Sequence, residues 1–122
     1  MACLFVIGFA NFAFSQQGLR QVQLGYCALS SMSAATALSS CTTTLTGGGT
    51  ISGVPTGTTY LVICAYAQNV NYLDNQATPT ATAGTGGQQI ASGQCIPYNA
   101  NYNFLLFIQQ TGGAILGISF YR

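Results

Sequence analysis

The sequence contains no histidine, lysine or glutamate, and its 122 residues carry three ionic side chains, Arg20, Asp74 and Arg122. Charged residues make up 2 % of the chain, where about 25 % is usual for soluble domains. General acid–base catalysis needs a positioned His, Glu, Asp or Lys, which leaves Asp74 alone as a candidate. Asp74-Asn75 reads better as a turn, capped through a side-chain oxygen. The serines and cysteines have no histidine to activate them, and Gly-x-Ser-x-Gly is missing. Gly84-Thr85-Gly86-Gly87 has the glycines of a phosphate loop without its Lys-Ser/Thr. An enzyme is therefore not expected. Two arginines are too few to neutralise several phosphates, so direct nucleic-acid binding is set aside.

Metal ligands are scarce too. Cys3, Cys27, Cys41, Cys64 and Cys95 are too widely spaced for a zinc knuckle, so neither a metal nor a cofactor is expected. Cys64 lies within the apolar run Tyr60-Leu61-Val62-Ile63-Cys64-Ala65-Tyr66, where a buried thiol is natural. The cysteines are accordingly expected to be mostly reduced.

No apolar run reaches the roughly 17 to 25 residues of a membrane-spanning helix, and no membrane span is expected. The longest run is N-terminal, within residues 1–15. Ala13 and Ser15 suit a signal-peptidase site, but a positive n-region is missing. Residues 1–20 are read as an apolar arm that packs on a neighbouring subunit through Leu4, Phe5, Phe9, Phe12 and Phe14, and residues 21–122 as a single domain.

What the chain does contain is short apolar runs punctuated by Gly, Thr, Ser, Asn and Pro, without the spacing of a surface helix. The pattern predicts an all-β fold of six to eight strands, a β-sandwich or jelly roll. Residues 21–24 form a short strand, and residues 31–38 allow a helical turn. A strand at residues 50–52 lies between two glycine-rich turns. Residues 58–67, apolar on both alternating faces, predict a central strand. Residues 70–73 continue or partner it, and residues 77–88 make an exposed loop. Short segments at residues 89–91 and 94–96 precede a buried strand at residues 104–108. Gly112-Gly113 then turns the chain into residues 114–121, predicting that the last two strands pair.

Seven tyrosines and seven phenylalanines offer faces that stack on sugar rings, with Asn and Gln amides to bind hydroxyls. Core packing is the better reading for Tyr60, Phe104, Phe107 and Phe120. Tyr72, Tyr98, Tyr102 and Tyr121 are candidate interface anchors. With so little charge to keep copies apart, the chain is expected to self-associate inside an assembly.

The second half carries a resemblance. It begins at Pro55-Thr56-Gly57-Thr58-Thr59-Tyr60 and continues through Ala65-Tyr66-Ala67-Gln68-Asn69-Val70, Asp74 and Pro79-Thr80-Ala81-Thr82-Ala83-Gly84. It ends with Phe107-Ile108-Gln109-Gln110 and Ala114-Ile115-Leu116-Gly117-Ile118-Ser119-Phe120-Tyr121. Over residues 50–122 this resembles small virion-associated proteins of tailed bacteriophages. The tryptophan, arginine and second aspartate of that pattern are replaced around Asn71-Tyr72-Leu73-Asp74-Asn75, which removes its charges, and no methionine follows Gly84.

The resemblance implies a β-sandwich on the outer capsid surface, bound to the major capsid protein as a homo-oligomeric cement or decoration protein that stabilises the head. The competing expectations are a low-copy tail-tip or fibre module recognising host glycans, and a secreted self-assembling fibre subunit.

Overall fold

The computed structural model describes residues 21–122, which form two antiparallel sheets packed as a sandwich. In chain order the strands are β1 (Gln23–Ser30), β2 (Thr36–Ala37), β3 (Thr42–Leu45), β4 (Thr50–Ser52), β5 (Tyr60–Tyr66), β6 (Val70–Leu73), β7 (Gln88–Ile90), β8 (Cys95–Tyr98), β9 (Leu106–Gln109) and β10 (Ile115–Tyr121). The larger sheet runs β4-β3-β1-β10-β5-β8, and the smaller runs β2-β9-β6-β7.

Period-two alternation builds the core. Leu61, Ile63 and Ala65 of β5, Leu116, Ile118 and Phe120 of β10, and Cys27 and Leu29 of β1 point inward and are buried. Val70, Ile90 and Phe107 meet them from the smaller sheet. The register agrees with this: Ile118 sits between Cys27 and Ile63, and Leu116 between Leu29 and Ala65.

Several expectations need correction. β9 and β10 do not pair. β9 lies between β2 and β6 in the smaller sheet, while β10 lies between β1 and β5 in the larger. Both strands bury one face, but alternation alone does not say in which layer, and the Gly112-Gly113 turn carries the chain across the sandwich. β6 likewise joins the smaller sheet rather than extending β5. β1 has eight residues, not a short stretch ending at Leu24, because exposed Tyr26, Ala28 and Ser30 alternate with buried Cys27 and Leu29. Residues 31–38 hold β2, with the one-turn 3-10 segment Leu38–Ser40 at their end. Phe104 is 39 % exposed rather than core.

The cysteines are the largest correction, because Cys27–Cys41 and Cys64–Cys95 are disulfides. Cys27 and Cys41 are both buried. Cys64 is not in the core: it alternates with buried Ile63 and Ala65, so it faces outward, directly opposite exposed Cys95 on β8. The apolar run around Cys64 obscured the face it occupies.

The smaller sheet is covered on its outer side by the chain's own loop. Buried Asn71 alternates with inward-facing Val70 and Tyr72, and its Nδ2 donates to the carbonyls of Thr80 and Thr82 at 2.8 and 3.0 Å. Its Oδ1 accepts from Gln110 Nε2 at 2.7 Å. The Thr80 and Gly86 amides close the loop on the Gly86 and Thr82 carbonyls. A side chain at Gly86 would collide with the Thr80 carbonyl, which requires glycine there.

Candidate functional site

Nothing among the described residues covers the larger sheet's outer face in the same way. Tyr26 of β1, Ile115 of β10 and Tyr66 of β5 stand on it, 57 %, 43 % and 51 % exposed. Their positions follow from register: Tyr26 opposes Ser119, Ser30 opposes Ile115, and Ile115 opposes Tyr66. The Tyr66 ring lies over Gly117, where an added Cβ would approach it to 3.0 Å. Tyr60, expected in the core, instead stands on this outer face because it alternates with buried Leu61, and it stacks on Tyr121 opposite it at 5.0 Å with ring planes 8° apart. Val62, Pro97 and the Cys64–Cys95 disulfide extend the surface to the β8 edge.

No ionic side chain stands on strands β1, β3, β4, β5, β8 or β10, so the face is uncharged. Docking here would desolvate no charge, and the aromatic rings supply contact area with little side-chain entropy to lose.

A second cluster closes one end of the sandwich. Tyr98 Oη donates to Asp74 Oδ2 at 2.8 Å, tying β8 of the larger sheet to the turn after β6 of the smaller. Tyr72 Oη donates to Gln88 Oε1 at 2.7 Å, while its ring packs near Phe107. Tyr102 lies 6.0 Å from Tyr98 between ring centroids.

Burial raises the Tyr98 phenol far above the ordinary tyrosine value, reinforced by its hydrogen bond to Asp74 and by that carboxylate's charge. Burial and then the Asp74 charge raise Tyr72, and burial raises Tyr102. The neutral Tyr98 phenol donates to the one carboxylate and ties the two sheets together, whereas the Tyr72–Gln88 bond lies within the smaller sheet. Asp74 does not cap its turn as expected. Asn75 does, its Oδ1 accepting from the Ala77 amide at 3.1 Å.

Between face and end lies a surface pocket of about 310 Å³ lined by Gln21, Tyr60, Pro97, Tyr98 and Asn99. The Tyr60 hydroxyl is enclosed and has no hydrogen-bond partner among the described residues. Burial, and then the neighbouring Tyr121, raise its pKa.

Of the residues singled out from sequence, Tyr72, Tyr98 and Tyr102 gather at this end, half-buried against the core. Leu4, Phe5, Phe9, Phe12 and Phe14 lie outside the described residues. Sequence reasoning missed Tyr26, Tyr66 and Ile115. The signal for Tyr26 was its alternation with Cys27 and Leu29, and Tyr66 was hidden because both faces of β5 are apolar. Among the described residues no group of three His, Cys, Asp or Glu side chains comes together, and no helix is long and apolar enough to cross a membrane.

No protein-family model, curated protein or solved structure matches this chain.

Proposed function

We propose that this chain is a non-enzymatic structural protein of a tailed-bacteriophage virion, held on the outer capsid surface as a cement or decoration protein that stabilises the head. The observation that carries the reading is the uncharged outer face of the larger sheet, set with Tyr26, Tyr66 and Ile115. Such a face is an interaction surface by its composition. The opposite side of the sandwich, closed by the loop on Asn71, has no such need.

The resemblance supplies the setting. Its residues fall on the inner strands β5, β6, β9 and β10 and on the loops at 55–59 and 79–84, so they pertain mainly to the framework that presents the face. Disulfides persist on virion surfaces as well as in secreted proteins, which fits an exterior position. The partner would be the major capsid protein, contacted by many copies through hydrogen bonds and aromatic packing rather than ion pairs.

The two disulfides also favour a second reading, a secreted fibre subunit that polymerises by adding strands to sheet edges. Mass spectrometry of purified particles separates the two: the first reading expects this chain in the particle in fixed proportion to the capsid protein. Its absence from particles, with fibres forming from the isolated chain, would favour the second.

A further inference from the structure

We infer that the free edge of β4 is a docking site for an extended, uncharged segment of a different polypeptide, added as a further strand to the larger sheet. β4 ends that sheet, with β3 on one side and no described strand on the other. Its ladder fixes which groups point outward. The Gly53 amide donates to the Cys41 carbonyl and the Leu45 amide to the Gly49 carbonyl, so the register makes Thr43 and Ile51 the hydrogen-bonded pair between them. Thr50 and Ser52 therefore turn their amides and carbonyls away from β3, and no described residue takes them up. Two donors and two acceptors at a two-residue spacing match the backbone of an extended chain.

The opposite edge of the same sheet is guarded. The Ala65 amide donates to the Gln94 carbonyl, which by register turns Cys95 and Pro97 of β8 outward, and Pro97 has no amide to offer. β4 carries neither proline nor charge.

The side chains of an added strand also find places. On its inward side such a strand sets alternate residues opposite Ile51 and Gly53, whose partners on the β3 side, Thr43 and Cys41, are buried. Each position borders a hollow. Ile51 lines one of about 440 Å³ with Leu24, Leu45 and Pro55, none of them from the smaller sheet, which leaves Ile51 exposed. Gly53 lines one of about 270 Å³ with Ser52, Val54, Tyr102 and Asn103. The first suits an aliphatic side chain and the second a polar one. Backbone bonds along an edge with pockets for alternate side chains are the pattern by which sheets take up peptides.

A second copy of β4 does not fill these places. In each antiparallel register that joins the outward groups of two copies, the second copy's Gly49 or Gly53 falls opposite Ile51 or Gly53, and at least one hollow receives no side chain. The segment that fills both comes from another protein. This edge is distinct from the outer face and does not depend on the virion role.

The probe is the peptide Thr-Gln-Thr-Leu-Thr, capped at both ends, which antiparallel to β4 sets its Leu opposite Ile51 and its Gln opposite Gly53. Its counterpart Thr-Gly-Thr-Gly-Thr keeps the backbone and removes both inward side chains. Each is titrated into the isotopically labelled full chain, with amide resonances and hydrogen exchange followed residue by residue. The expected result is saturable binding with slowed exchange at the Thr50 and Ser52 amides, at least about tenfold weaker for the glycine peptide. Ser52→Pro removes an outward donor without touching the β3 ladder, and Ile51→Lys sets a charge at the apolar hollow. Each should weaken binding at least about tenfold, with unchanged thermal unfolding showing that the variant is folded.

No saturable binding, equal affinity for the two peptides, or protection on β8 instead of β4 would overturn the inference. So would Thr50 and Ser52 amides already protected in the chain alone, since a second copy or another segment of the same chain would then hold the edge.

Discussion

Asp74 shows how one carboxylate in a nearly uncharged chain serves structure. It accepts from Tyr98 across the two sheets at 2.8 Å, so Tyr98→Phe should destabilise the fold by about 1 kcal/mol, below the roughly 1.5–3 kcal/mol of a buried bond to a charged group because the pair is partly solvated. The pH dependence has a definite sign. The folded protein holds the Tyr98 proton more tightly than the unfolded chain. This stabilisation is therefore fully present below the unfolded tyrosine pKa of about 10 and is lost as pH rises beyond it toward the folded value. Denaturant unfolding across the alkaline range should show that fall in the wild type and a shallower one in Tyr98→Phe.

Asn71 is the other residue with large leverage. Asn71→Ala would strip partners from the Thr80 and Thr82 carbonyls and from Gln110. A loss of about 2–4 kcal/mol is expected, with faster amide hydrogen exchange at Thr80 and Gly86 than in the wild type. Equal exchange in the two proteins would mean that Asn71 does not hold the loop.

Among the elements, β5 and β8 carry a cross-link on the outer face, while β1 and Cys41, just before β3, carry one in the core. Chain-entropy estimates give the two bridges similar value, about 3 kcal/mol for a separation of 14 residues and about 4 kcal/mol for 31. Their accessibility differs sharply. Under native conditions a small thiol reductant should open Cys64–Cys95 first, and Cys27–Cys41 only on unfolding, because both of its cysteines are buried. Alkylation and peptide mapping at successive times would read the order.

The elements also show what was legible in the sequence. The alternation of Leu116, Ile118 and Phe120 made β10 plain, and the glycines and proline around residues 50–52 bounded β4. Layer assignment was not legible, since β9 and β10 each bury one side whichever sheet they join. The disulfides were hidden for the same reason: Cys64 and Cys95 are partners only because β8 returns beside β5. For the candidate site, Tyr72, Tyr98 and Tyr102 were found and do cluster, but as the end of the core. The outer face was missed because it exists only once three strands distant in sequence lie side by side.

At the scale of the whole molecule, the asymmetry between its two sides stands out. One sheet is covered by its own loop, and the other presents an uncharged aromatic surface. A domain of this kind is suited to close association with many neighbours, where scarcity of charge avoids both repulsion and desolvation cost. The proposed virion role draws on that property.

The measurement that tests this role most directly is the copy number of the chain in purified particles, relative to the major capsid protein, by quantitative mass spectrometry. A cement or decoration protein should be present at a simple fraction or multiple of the capsid count. A few copies per particle would instead place the chain at a tail or vertex, and its absence from particles would contradict a virion role altogether.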